Sequence, residues 1–233
     1  MRENIRQYYR EHESYNRYFM NNQKRVNEIK SIYTHYKKYF GKRVLDIACG
    51  GGVLGFIIEP KGHEYLGVDV NPDMIKGAKE YATKIKSRNK FLLRNIVKSK
   101  VNGRFDTISL IGNSLAHFTT FQFVKVLGNL PTAEYFIIDY RDVVEILSKK
   151  QWKDKMIEKR SGKKYISLTE GFNTESGEIY KSSSQKDKSK KIEFIHTIWS
   201  PFILEPMMNL KGWQLVKRKK ENVWHGWMEV YKK

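Results

Sequence analysis

Short apolar runs alternate with stretches whose apolar positions recur at helical spacing between residues 43 and 140. "RVLDIA" (43–48) suits a buried parallel strand that breaks at glycines, and "VLGFIIEP" then reads as a helix that Pro60 helps to close. "EYLGVDV" (64–70) reads as a second strand. In "NPDMIKGAKEYATKIK", Asn71 can cap, Pro72 fits the first turn, and Met74, Ile75, Ala78, Ala82 and Ile85 form a helical stripe. "KFLLRN" (90–95), "FDTISLIG" (105–112) and "EYFIIDY" (134–140) supply three more strands, with a helix between 119 and 130. The alternation predicts an α/β fold, a doubly wound and mostly parallel Rossmann-like sheet, whose ligands lie beyond the carboxyl ends of the strands.

The pattern changes after residue 150. "KKYISLTEGF", "GEIYKSSSQ" and "KIEFIHTIW" are β-like stretches separated by Gly, Ser and Lys, which predicts an antiparallel β cap over the site. "SPFILEPMMNLKGW" reads as a helix begun by Ser200 and Pro201 and made irregular by Pro206; "WQLVKRK" and "WHGWMEVYK" complete the sheet, and "SSSQKDKSKK" reads as a mobile turn. The expected organisation is an N-terminal helical lid at 1–40, a core at 41–150, a cap insertion at 151–199, and a C-terminal helix and strands at 200–233. Tyr15 and Tyr18 either close the lid or simply pack.

Composition narrows the function classes. The 233 residues suffice for a well-buried core, no apolar run approaches the length of a membrane span, and the N-terminus is too polar for a signal peptide, so a soluble, cytoplasmic protein is expected. The lone Cys49 excludes an internal disulfide and a multi-cysteine zinc site, and no metal is expected. The net charge of +19 makes a basic protein, but the excess sits in the flanks. Residues 45–148 hold 13 Lys/Arg against 11 Asp/Glu, whereas 1–44 hold 11 against 4 and 149–191 hold 13 against 6. That is either a groove for RNA or solvated lysine that keeps the chain soluble.

The candidate chemistry begins at "VLDIACGGGVLG", where Asp46 stands before a glycine-rich loop containing Gly50 and Gly52. A pyrophosphate would be repelled by that acid, Ala48 replaces the first glycine of a dinucleotide loop, and no G-K-[ST] ending follows. S-adenosyl-L-methionine carries no phosphate and does carry an ammonium and a sulfonium, so a carboxylate there selects it. Asp69, ending the second strand 17 residues after Gly52, is placed to accept from ribose hydroxyls, or else caps the next helix. Met74 packs on the adenine or belongs to the core.

"VLDIACGGG", "GVDVNPDMI" and "FDTISLIGNSLAHF" follow one another in an order that resembles the class I SAM-dependent methyltransferases, over roughly residues 20–147. Within them, "LIGNSLAHF" and "IIDYRDVVEIL" resemble the glycine N-methyltransferase and glycine/sarcosine methyltransferase branch. The resemblance implies that Arg25, in "RVNE", holds the cofactor's carboxylate, unless it is one more exposed charge; that Asn95 meets the adenine edge; and that Ala48, Val70, Ile96 and Ile111 complete the cofactor site. It implies substrate contacts for Asn113 and Arg141, the latter able to pair instead with Asp139 or Asp142. His117 is a proton acceptor or a packed histidine, and Asn113, Tyr140 or a polar group of the cap sheet would hold an amine lone pair in line.

The reading is therefore a methyltransferase (a transferase) acting on a small-molecule acceptor, an amine or amino-acid-like compound, with S-adenosyl-L-homocysteine as product. The branch's "HRNYD" is here "YRDVV", which leaves glycine itself open. Two alternatives stand beside it. An RNA methyltransferase would use the basic flanks for phosphates and Trp199, Trp213, Trp224 and Trp227 for stacking; a non-catalytic SAM-binding protein would keep the loop without turnover. The sequence does not specify an oligomeric state.

Overall fold

The computed structural model describes residues 19–150, 152–160, 163–185, 191–221 and 226–233; Tyr15, Tyr18, Trp224 and the middle of the expected mobile turn lie outside them. Helix α1 (Gln23–Tyr36) leads into β1 (Arg43–Ile47), α2 (Val53–Ile58), β2 (Glu64–Asp69), α3 (Pro72–Lys84), β3 (Lys90–Leu93), β4 (Thr107–Leu110), α4 (Thr120–Asn129) and β5 (Tyr135–Arg141). Then follow α5 (Val143–Ser148), strands β6 (Lys155–Arg160), β7 (Lys163–Asn173), β8 (Glu178–Gln185) and β9 (Lys191–Thr197), α6 (Pro201–Leu210), β10 (Gln214–Glu221) and β11 (Gly226–Lys232).

Seven strands form one sheet in the order β10-β11-β5-β4-β1-β2-β3, and β6 to β9 form a second, antiparallel sheet. The pairs from β3 through β5 are parallel, while β11 runs antiparallel to both β5 and β10. Chain order reverses between β1 and β4, which makes their carboxyl ends the switch point of the sheet. The fold is thus the expected doubly wound sheet with an antiparallel addition. Elements at 143–148 and 155–160 add to the pattern reading: α5 is a short helix capped by the Asp142 side chain, which accepts from Glu145 N–H at 3.1 Å, and lysines dilute the alternation of β6. Pro60 falls in a 3-10 turn after α2, and α6 continues through Pro206.

The central strands are buried on both faces because alternate side chains feed different layers. Val44 and Ile137 join the layer packed with α1, α2 and α3; Leu45, Phe136 and Ile138 join the layer under α4 and α6. Trp199 and Trp213, 1% and 2% exposed, fill the second layer, so neither offers the stacking surface an RNA-binding role requires. Among the described residues, no helix is long and apolar enough to cross a membrane.

Two carboxylates inside the sheet correct expectations drawn from the sequence. Glu229 on β11 is fully buried and accepts from Tyr140 Oη at 2.8 Å, from Tyr231 Oη, and from Arg218 Nε at 2.6 Å. The Tyr140 hydroxyl thus donates its proton to Glu229 inside the sheet, although the residue also lines a cavity described below. Asp46 is corrected likewise: its carboxyl accepts from Ser109 Oγ at 2.7 Å and Tyr65 Oη at 2.8 Å, bridging β1 to both neighbours. Its hydrogen bonds run to the neighbouring strands, and it lines neither of the cavities described below. Burial pushes its pKa up to about 7, against the pull of the Ser109 and Tyr65 hydrogen bonds.

Glu229→Ala should cost about 3 kcal/mol of stability, because it leaves Arg218 and two hydroxyls without their shared acceptor; equilibrium urea unfolding measures this, and an unchanged midpoint would contradict the network. For Asp46, the native carboxyl keeps its proton to about pH 7 while an unfolded one loses it near 3.8. The native state binds more protons in that window, so stability from this group falls as pH rises through it. In Asp46→Asn that fall should shrink by up to about 4 kcal/mol, read from unfolding midpoints between pH 4 and 8.

Candidate active site

Four strand ends converge on one cavity of about 190 Å³. The turn after β1 contributes Ala48 and Gly50, the end of β2 contributes Val68 to Asn71, the turn after β3 contributes Arg94 to Lys98, and the segment after β4 contributes Ser114, His117 and Phe118. Met74 and Gln122 complete the wall from α3 and α4. This is where a doubly wound sheet opens, because the connections to either side of the switch point diverge.

The loop after β1 is built to bring backbone to the cavity. Ala48 takes a φ of 56°, a conformation rare for a residue with a side chain and held here by its surroundings. Gly52 has a φ of 77°, and a Cβ there would lie 2.3 Å from Phe91 Cε1, so only glycine fits. Gly52 thus seats the loop on the core and does not line the cavity. Asp69 holds the same loop from β2: its Oδ2 accepts from Gly50 N–H at 2.9 Å and its Oδ1 from Asn71 N–H at 2.8 Å. Burial raises the Asp69 pKa while these two N–H groups oppose the rise. The helix-capping role is filled by Asn71, whose side chain accepts from Asp73 N–H at 3.0 Å. Cys49 is half-buried with its Sγ against Gly67, and burial pushes its thiol pKa well up, as suits a packing residue.

A second, smaller cavity of about 80 Å³ also takes a residue from the segment after β4. Its lining includes Asn113, Tyr140 and Arg141 from the expected substrate set, Glu28 and Ile32 from α1, and Trp227 and Met228 from β11. Asn113 sits at φ 60°; its N–H and that of Gly112 both donate to Asp139 Oδ1, at 2.8 and 2.7 Å, and its Oδ1 accepts from Arg141 N–H at 3.1 Å. Asp142 meanwhile accepts from Trp227 Nε1 at 2.9 Å. Consecutive residues, Asn113 and Ser114, therefore line different cavities.

Arg25 is buried, not an exposed charge: Nη1 lies 3.3 Å from Glu28 Oε2, and a Cβ on Gly112 would come within 2.5 Å of Nη2. It packs under the turn at Gly112 and lines neither cavity; Ile111, also buried, belongs to the core layer. His117 is half-buried, with its ring centroid 5.2 Å from that of His196 on β9, and desolvation lowers its pKa to about 4. Of the expected cofactor residues, Ala48, Gly50, Asp69, Val70, Met74, Asn95 and Ile96 share the larger cavity. Ser114, Phe118 and Gln122 were not singled out beforehand, although the first two lie in "NSLAHF".

A family model described as a methyltransferase domain matches residues 40–197. The ribosomal protein L11 methyltransferase of Thermotoga neapolitana is 30% identical over 141 residues, 57% of this chain and 52% of that protein. The glycine N-methyltransferase of Oryctolagus cuniculus is 30% identical over 127 residues, 46% of this chain and 43% of that protein. The chain spans about half the length of these curated relatives. The crystal structure of an S-adenosylmethionine-dependent methyltransferase from Clostridium acetobutylicum has a TM-score of 0.68 at 17% identity, over 87% of this chain and 89% of that one, which is a likeness of fold. The matched family segment takes in the glycine loop, Asp69 and both cavity-lining turns after β3 and β4, and the chain belongs to the methyltransferase domain family.

Proposed function

We propose that this protein transfers a methyl group from S-adenosyl-L-methionine, held in the larger cavity, to a small amine or amino-acid-like acceptor in the smaller one. What supports the reading is a pair of cavities whose linings include adjacent residues after β4, Ser114 for the larger and Asn113 for the smaller. The residues around the larger cavity fit the cofactor by their chemistry. The Asp69 carboxyl offers acceptors for a ribose diol, Val68, Val70, Met74, Ile96 and Phe118 offer apolar surface for an adenine, and Asn95 stands at the same wall. Arg25 lines neither cavity, so the contact with the cofactor's carboxylate that the family resemblance implies is not part of this reading.

S-adenosyl-L-methionine supplies a methyl group on a sulfonium, already an activated leaving group. The chain's own task is to exclude water and to align the acceptor, and such positioning supplies on the order of 7–11 kcal/mol. Asn113 and Arg141 are read as acceptor-binding residues. The planar guanidinium suits an acceptor carboxylate through two parallel hydrogen bonds. A histidine with a pKa of about 4 is too weak a base to take a proton from a methylated amine, so His117 is read as a hydrogen-bonding wall. The antiparallel sheet is read as a cap, supported by the contact of His196 with His117. The name of the glycine N-methyltransferase relative agrees with an amine acceptor.

Calorimetric titration with S-adenosyl-L-methionine and methyl-label transfer to small amines, amino acids and total RNA test the reading together. Asp69→Asn should weaken cofactor binding at least tenfold, the loss of a hydrogen bond to a charged group, and Asp69→Ala more, since it also frees the Gly50 and Asn71 N–H groups. Unchanged affinity in both would reject the ribose assignment. Arg141→Ala should raise KM for carboxylate-bearing amines about tenfold or more and leave carboxylate-free amines unaffected. Labelled RNA with Arg141 dispensable would overturn the small-molecule reading, and cofactor binding without any labelled product would mark a non-catalytic protein.

A further inference from the structure

Two side-chain amides in the wall of the larger cavity are oriented by their own loops. Asn95 stands in the turn after β3 and Gln122 in the first turn of α4, and both line the cavity. Asn95 Oδ1 accepts from Val97 N–H at 3.0 Å, and Gln122 Oε1 accepts from Thr119 N–H at 3.1 Å. A backbone N–H can meet only the oxygen of an amide, so these bonds fix which end of each side chain is turned away from its loop. Among the described residues, Asn95 Nδ2 and Gln122 Nε2 meet no acceptor, and both keep accessible surface. The carbonyl oxygens beside Asn95 are also engaged within the protein. Asn95 O accepts from Lys98 N–H at 2.9 Å and Ser99 N–H at 3.1 Å, while Asn129 Nδ2 donates to Ile96 O at 2.8 Å and Val97 O at 3.2 Å. Asp69, the one carboxylate in the lining, is read above as the partner of the ribose.

We infer that the cofactor's base is read as a set of acceptors. Asn95 Nδ2 donates to N1 of the adenine, Gln122 Nε2 donates to a ring nitrogen on another edge, and the 6-amino group is not selected by a protein oxygen. The inference rests on the proposed binding of S-adenosyl-L-methionine in this cavity. Adenine carries acceptors at N1, N3 and N7 and a donor in its 6-amino group. A wall that presents amide nitrogens completes the ring nitrogens, whereas meeting the amine would require an oxygen already bonded within its own loop. Discrimination between ligands comes from polar groups of the site that the wrong ligand leaves unpaired. Here N1 has such a partner and the amine does not, so a purine that keeps N1 and lacks the amine is accepted. The capping box that joins Thr119 to Gln122 and the turn that joins Asn95 to Val97 thus act as specificity devices, because they decide which atom each amide shows to the base.

Calorimetric titration with S-adenosyl-L-homocysteine, its 6-deamino analogue and its 1-deaza analogue separates the two groups without turnover. For the wild-type chain, the 6-deamino analogue should bind within about threefold of S-adenosyl-L-homocysteine and the 1-deaza analogue about tenfold more weakly. Asn95→Asp keeps an oxygen for Val97 N–H and replaces the donor by an acceptor. In that variant the 1-deaza penalty should vanish and loss of the 6-amino group should now cost about tenfold, a reversal that a merely structural role would not produce. Gln122→Glu keeps the bond from Thr119 N–H and should weaken S-adenosyl-L-homocysteine about tenfold while retaining the 1-deaza penalty. Circular dichroism checks that both variants fold. A wild-type chain that rejects the 6-deamino analogue, or that binds the 1-deaza analogue as well as S-adenosyl-L-homocysteine, would overturn the inference and leave the cofactor site standing. Unchanged affinity in Gln122→Glu would overturn the second contact. Failure of S-adenosyl-L-homocysteine itself to bind would reject the cofactor reading, and this inference with it.

Discussion

The Asp69 carboxyl is the point on which the candidate site depends. One oxygen binds the loop after β1 and the other binds the turn into α3, so a single side chain fixes the distance between two strand ends that share no covalent neighbour. Gly50 and Gly52 take positive φ freely, but Ala48 at φ 56° does so only because its surroundings hold it there. Phe91 presses on Gly52 from β3, Val68 O accepts from Cys49 N–H at 3.1 Å, and Asp69 closes the arrangement from the cavity side. Three adjacent strands therefore shape one turn.

The buried carboxylates show a second principle, the use of acids as joints between strands. Asp46 ties β1 to β2 and β4, Asp139 ties β5 to the turn after β4, and Glu229 gathers two tyrosines and an arginine between β5, β11 and β10. Each accepts from at least two donors, which is how a polar group is kept inside without a large penalty. Asp139 matters most for the site, because the two N–H groups it collects hold Gly112 and Asn113 in their left-handed turn.

Much of the fold was legible in the sequence because it is local. The βα alternation, the Asn71 cap and the glycine loop each depend on neighbours within a few residues, and the strands from β1 to β5 fall where the apolar runs place them. Side-chain direction was not legible where it depends on distant partners. Asp46 looked like a ligand contact until Tyr65 and Ser109, 19 and 63 residues away, were seen to claim it; Tyr140 is claimed by Glu229, 89 residues on.

The antiparallel pairing of β11 with β5 sets Gly226 opposite Arg141, with the Tyr140 carbonyl oxygen 2.1 Å from where a Cβ on Gly226 would stand. Residues 48–122 supply the whole lining of the larger cavity, whereas the smaller one also takes Gly226, Trp227 and Met228. The lining of the larger cavity is thus complete about a hundred residues along the chain before that of the smaller one, so changes near the C-terminus can reshape the second without touching a lining residue of the first.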